Sequence, residues 1–423
     1  MPYDQSAYRE NHSTETTVCA INNDMTEIIT NGKCGILVML DLSAAFDTVE
    51  HKLLLEDLRA VGIEKNVYRW YKSYLENRKI TVIISNTRSE IKNLTKGVPQ
   101  GSILGPLLFS IYTIELSKIL EKHKVKFKLY ADDTQFYFPI ESVEETTLKI
   151  DTIMKDIKEW MTAKKLKLNE DKTECMLFGN TNAIKKYDHF QSITIGSSVI
   201  NIKTVVRNLG VFIDNKLSMK NNILNTVKIC NYHIRNVAFI KKYLNEDTLK
   251  TIICNHVLSR LDYCNSVYYG LPNYLLKKLQ NVQNRAARLI KGLRSRDRIT
   301  PALIELHWLP VKARVEYKVM LLTYKALWYN EPKYLRDCLS FYVPETNVTI
   351  RHASEPYRLF EPRTNCKFGE RAFGHCTPRL YNRLPPEIRN IPNEMKFKRE
   401  LKTFLFARSY NTDDESLNER YKV

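Results

Sequence analysis

Two aspartates stand side by side in KLYADDTQFYF, residues 128 to 138, between runs that alternate like half-buried strand. Adjacent carboxylates in such a place need something to offset their charge, because burying an unpaired charge is costly. On the pair alone two uses stay open: a turn whose side chains bond local backbone N–H groups, or part of a ligand set for a cation. A third carboxylate favours the second use. Asp41 closes the apolar run CGILVMLD, residues 34 to 41, and an antiparallel sheet can bring that strand end beside the ADDT bend. Oxygen-only ligands suit a hard cation such as Mg²⁺, which keeps waters and accepts phosphate oxygens in its remaining positions. Two such ions roughly 4 Å apart serve phosphoryl or nucleotidyl transfer. Successive strand residues point to opposite faces, so Asp132 and Asp133 cannot coordinate equally unless the bend rotates one of them. Asp41 and Asp132 are the expected primary ligands.

The elements that must position these groups are legible in the patterning. Val125, Phe127 and Leu129 alternate with Lys126 and Lys128, and Phe136 and Phe138 alternate beyond the aspartates, which predicts a hairpin with ADDT at its bend. CGILVMLD reads as a strand buried on both faces. Asp47 and Glu50 have capping-box spacing ahead of a helix with Leu54, Leu58 and Val61 on one face and Gly62 at its end. Val67, Trp70, Tyr71, Tyr74 and Leu75 mark a second amphipathic helix, and KITVIISN reads as a strand. TKGVPQGSILGP is a loop, with Pro106 in the first turn of a helix running toward Leu120. Ser142 and Glu145 predict another helix start, with Ile150, Met154, Ile157 and Met161 as its buried stripe. TECMLFG reads as a short strand, and VVRNLGVFID as a strand whose Gly lets backbone come close to something. Together these make an α+β module, an antiparallel sheet with helices on one side.

From about residue 217 the chain turns helical and more basic. Leu275, Leu279, Val282, Ala286, Leu289 and Leu293 recur at four-and-three spacing, with Lys278, Arg285, Arg288 and Arg294 elsewhere around the helix. Those cations form either a solvated face or a set of phosphate contacts. LHWLPVKARVEYKVMLLTYKALW reads as a further packed helix before a Pro-rich, irregular tail. The formal net charge of +18 over 423 residues calls for an anionic partner, nucleic acid before a membrane surface. No apolar run is long enough to span a bilayer and the N-terminus lacks a signal peptide's apolar centre, so the expectation is a soluble, intracellular protein. Nine scattered cysteines without a CxxC pair argue against a disulfide framework. Cys366, His375 and Cys376 are the nearest approach to a zinc set, against the plainer reading of structural thiols.

YADD at 130–133, LDLSAAFDTV at 40–49 and GVPQGSILGPLLF at 97–109, in that order and spacing, resemble the reverse transcriptase of non-LTR retrotransposons of the LINE type, jockey-like. The likeness continues through LKLNEDKT, VRNLGVFID, NRAARLI, LHWLPV and GERAF, and so covers nearly the whole chain. It implies a right-hand polymerase: a fingers remnant over 1–35, a palm with inserted fingers elements over 36–216, a basic helical thumb over 217–300 and a C-terminal extension of unknown role over 301–423. It also implies RNA-directed DNA synthesis from dNTPs on an RNA template and a DNA primer, with two Mg²⁺ ions (Mn²⁺ as a substitute) and a nuclear place of work. Asp41 and Asp132 match the family's metal ligands, and Asp133 completes the triad. Phe46 matches the ring beneath the incoming sugar that excludes a 2′-hydroxyl, unless it is a core Phe at a strand-to-helix junction. Gln100 and Gly101 match the loop over the nucleotide. Lys172 matches a basic residue at the departing pyrophosphate, or is a surface lysine in a polar turn. Leu209, Gly210 and Val211 resemble the primer-gripping hairpin. Two departures qualify the resemblance: nothing corresponds to the family's preceding endonuclease, and QSAYRENHSTET matches the second fingers segment with Ala7 where Gly is usual. The chain is therefore expected to begin inside the fingers. The rival expectations are a truncated chain that binds nucleic acid without catalysis, and a basic scaffold protein.

Overall fold

The computed structural model describes residues 2–42, 45–99, 101–196, 198–343, 357–364 and 366–410. The chain forms two compact units. The first comprises Met1–Glu10, Cys34–Leu177 and Thr181–Thr204; the second comprises Asn11–Lys33, Phe178–Asn180 and Val205–Val423.

A six-stranded sheet organises the first unit. In spatial order its strands are Lys126–Tyr130, Asp133–Pro139, Gly35–Leu40, Glu174–Phe178, Ser198–Lys203 and Ser192–Ile195. Gly35–Leu40 is buried almost throughout, as its unbroken apolar run demands. It pairs antiparallel with Asp133–Pro139, Leu40 opposite Thr134. The sheet is not wholly antiparallel, because Ser198–Lys203 runs parallel to Glu174–Phe178. The intervening segment, with its short helix Thr181–Lys185 and the strand Ser192–Ile195, is long enough to make that crossover. The helix Val143–Ala163 starts as its sequence predicts, with the Ser142 side chain accepting from the Glu145 N–H, and it buries Ile150, Met154, Ile157 and Met161.

Several expectations shift in detail. The helix after Asp41 runs from His51 to Ala60 with Glu50 at its N-cap and no side-chain cap, so Asp47 lies ahead of the helix and does not cap it. Pairing of the preceding segment with the Gly97–Val98 backbone fixes the helix start instead. Val61, Val67 and Trp70 are exposed, and the second helix buries only Tyr71 and Leu75. KITVIISN yields two exposed two-residue strands, Lys79–Ile80 and Ile83–Ile84, rather than one. The helix begun at Pro106 breaks at Thr113 and resumes over Ile114–Lys122.

The second unit opens on a hairpin, Val205–Asn208 with Val211–Asp214, in place of one long strand. Leu209 and Gly210 both take positive φ, 44° and 83°, the backbone a two-residue hairpin turn requires. The helix Lys220–Ile240 then packs on Asn273–Lys291, and Val311–Trp328 packs on Phe373–Tyr381 and Glu394–Tyr410. Asn273–Lys291 ends at Gly292 in left-handed conformation, with Leu275, Leu279, Val282 and Ala286 buried. The helix Thr14–Thr30 belongs to this unit, not to the one holding the sheet. Ser13 and Thr16 cap it reciprocally. Thr16 bonds Tyr334 at 2.9 Å, and Asn23 accepts from the Gly374 N–H at 3.0 Å.

Candidate active site

The ADD bend is a two-residue turn. Tyr130 pairs with Asp133, which leaves Ala131 and Asp132 between the strands. Ala131 takes φ 56°, a region that residues with a Cβ seldom adopt. Its N–H donates to Gln5 Oε1 at 3.3 Å, the same oxygen that accepts from the Ala7 N–H at 3.0 Å. Residues 4–6 run beside Leu129, and Asp4 pairs with Lys128, so the N-terminal segment braces the hairpin. Asp132, being in the bend, escapes the strand alternation that would have set it opposite Asp133.

Asp41 follows Leu40, whose partner is Thr134, so the register sets Asp41 beside Asp133. The turn around Asn169 holds it there. Asn169 donates its backbone N–H to the Asp41 carbonyl at 2.9 Å and its side-chain amide to Asp41 Oδ2 at 3.2 Å. Lys172 Nζ lies 3.4 Å from the same Oδ2. Desolvation, and behind it the negative charges of Asp132 and Asp41, push Asp133 up to about 6. Asp133 thus feels the other two carboxylates, while Lys172 faces Asp41.

Around them, the Phe46 ring stacks on Phe109 at 4.5 Å and is half-buried. The Phe46 carbonyl accepts from the Val98 N–H at 2.8 Å. The loop from Gly97 is pinned at both ends. A Cβ on Gly97 would meet the Asp47 carbonyl oxygen at 2.9 Å, and one on Gly105 would meet that of Pro99 at the same distance. Between these anchors Gly101 takes φ 78° with open space around it; Gln100 lies outside the described residues. Leu209, Gly210 and Val211 sit in the hairpin of the second unit. There Tyr263 donates to the Leu209 carbonyl at 2.7 Å. Gly210 and Tyr263 line a cavity of about 480 Å3 with Arg207, Asn222 and Arg260.

The expected basic helix is more constrained than its sequence suggests. Arg288 donates to the carbonyls of Arg294 and Asp297, holding the turn after its own helix, and Arg285 donates to Asn231. Lys278 and Arg294 are exposed. A different face carries the combination that nucleic acid uses. Lys228, Tyr232, Arg235, Phe239 and Lys242 recur at four-and-three spacing along Lys220–Ile240 and its continuation, all exposed, with Phe239 at 79%. That spacing was readable in the sequence, but it resembles a core stripe, and only exposure separates the two. Asn169 and Gln5 were likewise missed, since a lone amide in a polar turn gives no signal.

The sequence model of the family described as reverse transcriptase (RNA-dependent DNA polymerase) matches residues 1–213. The chain belongs to the reverse transcriptase family. Its mixed α+β architecture, a sheet of several strands with helices, accords with the right-hand polymerase fold. Among curated relatives, the RNA-directed DNA polymerase from mobile element jockey of Drosophila melanogaster is 25% identical over 312 residues, 70% of this chain and 33% of the relative. The jockey polymerase of Drosophila funebris is 26% identical over 309 residues, with the same coverage of each. The probable RNA-directed DNA polymerase from transposon BS of Drosophila melanogaster is 24% identical, covering 69% of this chain and 32% of the relative. The chain spans about a third of the length of these relatives. Apo telomerase of Candida tropicalis aligns over 79% of this chain and 57% of that one, at 12% identity and a TM-score of 0.40.

Reverse transcriptases generally use divalent metal ions. Among the described residues no three His, Cys, Asp or Glu side chains converge closely enough to hold a metal as they stand. The donor chemistry nevertheless fits a hard cation: three carboxylates, one with its proton affinity raised by burial and then by the other two. Cys366, His375 and Cys376 make no metal set either; Cys366 is exposed, Cys376 is buried, and His375 Nδ1 faces the Pro362 carbonyl at 3.3 Å. No helix among the described residues is long and apolar enough to cross a membrane.

Proposed function

We propose that the chain carries RNA-directed DNA polymerase activity of the non-LTR retrotransposon kind, joining dNTPs to a primer 3′-hydroxyl on an RNA template, in the nucleus by family analogy. The register that sets Asp41 beside Asp133, next to the bend carrying Asp132, is the observation that supports this most directly. Asp41 and Asp132 would hold two Mg²⁺ ions, with Asp133 completing the set. When bound, such ions supply Lewis-acid stabilisation of the reacting phosphate oxygens.

The chain's own residues orient and exclude. Phe46, fixed by its stack on Phe109, sets a wall where a ribose 2′-hydroxyl would lie. The loop through Gln100 and Gly101 closes over the nucleotide, with open space at Gly101 between the close contacts of Gly97 and Gly105. Lys172, its Nζ 3.4 Å from Asp41 Oδ2, is the cation that meets the departing pyrophosphate. Leu209, Gly210 and Val211 grip the primer, and basic side chains of the second unit, Lys278, Arg285, Arg288 and Arg294 among them, meet the nucleic-acid backbone.

Primer extension tests the proposal. Purified chain with Mg²⁺ and dNTPs extends a DNA primer on an RNA template, and Asp132→Asn lowers the rate by ~100-fold or more with the circular dichroism spectrum unchanged. A wild-type chain that binds template yet adds no nucleotide would sink it. That outcome would favour nucleic-acid binding without synthesis, a reading supported by the exposed basic and aromatic stripe, which owes nothing to the carboxylates.

A further inference from the structure

A second cluster of chemistry lies where helical residues 254–262 meet residues 307–318 and Lys402, the latter in the stretch to which the polymerase reading gives no task. The segment Cys254–Leu258 forms a π-helical turn, a rare geometry that recurs at functional sites. With Asp262, the turn His307–Trp308–Leu309, Arg314, Tyr317, Lys318 and Lys402 it encloses a cavity of about 390 Å3. That volume falls at the lower end of the ~300–1,000 Å3 range of small-ligand sites.

Arg314 is locked in this cavity. Its Nε donates to the Leu309 carbonyl at 3.0 Å and its Nη1 to Asp262 at 2.7 Å. Nη2 has no hydrogen-bond partner among the described residues. The turn Arg314 braces is itself fixed, because Gln283 also donates to the Leu309 carbonyl and Tyr410 donates to that of Trp308. The charges nearby do not cancel. Asp262 balances Arg314 and Glu15 balances Lys318, but Lys402 makes no ion pair among the described residues. Desolvation first, then the charges of Arg314 and Lys250, hold the Lys402 amine below the usual lysine range.

We propose that this cavity binds a nucleotide-sized phosphate ester, with its phosphate against the free edge of Arg314 and the amine of Lys402. With Arg314 and Lys318 balanced, Lys402 remains as a surplus positive charge of the lining, with the charge of Lys250 near it, which suits a phosphate ester. A guanidinium held in a fixed orientation presents its remaining donors without losing rotamer freedom on binding. The apolar walls, Leu258, Trp308 and Leu309, leave room for the group attached to the phosphate. The ester arrives either free or as one nucleotide of an RNA strand.

The test is calorimetric titration of the full chain with AMP and, separately, with a six-nucleotide RNA. At least one of the two binds, and Lys402→Met weakens that ligand by about tenfold, the loss of one charge-assisted hydrogen bond. The melting temperature of the ligand-free variant stays at the wild-type value. Weakening of AMP identifies a free nucleotide, and weakening of the RNA alone identifies a strand. Lys402→Arg keeps the affinity. Binding that is unchanged in Lys402→Met, as expected if the ligands reach only the carboxylate site, overturns the proposal, and so does failure of both to bind.

Discussion

Asp57 and Lys164 show at single-residue scale how the first unit is tied together. Both are buried, and their charged atoms meet at 2.5 Å. Burial raises the Asp57 carboxyl while Lys164 pulls it down. Lys164 also closes the helix Val143–Ala163, and its carbonyl accepts from the Tyr112 hydroxyl, so one residue joins three helices. Asp57→Ala should cost about 3 kcal/mol in denaturant unfolding by leaving the buried lysine only the half-exposed Glu115 at 3.3 Å, whereas Asp57→Leu with Lys164→Met together should recover most of it. Equal losses in the single and double variants would show that the pair matters only through packing. At the candidate site, Phe46→Ala should raise incorporation of rNTPs relative to dNTPs. Unchanged discrimination in competition assays would leave Phe46 a core ring on Phe109 and nothing more. The site carboxylates were legible because three acidic residues at strand ends are chemically conspicuous. Asn169 was not, because what sets it apart is a non-local contact to Asp41.

Elements followed their patterns wherever the local sequence was sufficient. The ADD hairpin, the Ser142 cap and the stripe Ile150, Met154, Ile157 and Met161 came out as read, since alternation, capping chemistry and helical spacing are all short-range. The errors arose where tertiary pairing decides. Asp47 looked like a cap, but the backbone bonds of Phe46 and Val49 to Val98 and Gly97 start the helix later. VVRNLGVFID looked continuous because Leu209 hides a positive-φ turn position that Gly or Asn would have announced. On the helix Lys220–Ile240 the exposed stripe makes separable predictions. Phe239→Ala should weaken single-stranded RNA by roughly 1–3 kcal/mol, the worth of one stacked base, with little change in salt dependence. Arg235→Ala should instead flatten the plot of log affinity against log salt by about one unit. If neither change alters binding, the stripe is a solvated surface.

For the molecule as a whole, the division into units cuts across chain order. The helix Thr14–Thr30 buries Val18, Ile21 and Met25 in the unit that also holds Val311–Trp328 and Phe373–Tyr381, and contacts both of its neighbours Tyr334 and Gly374 by hydrogen bonds. Helices within residues 301–423, read from the sequence as an extension of unknown role, therefore pack on the N-terminal helix. Removing them should abolish hydrogen-exchange protection over Thr14–Thr30 and drive the chain into aggregates by sedimentation, while full protection in the shortened chain would refute that dependence. The same arrangement sets a timetable for biosynthesis. Asn23 and its partner Gly374 are 351 residues apart, so at ~5–20 residues per second the helix leaves the ribosome on the order of 20–70 s before its cover is made. During that interval its apolar face is a natural client surface for chaperones.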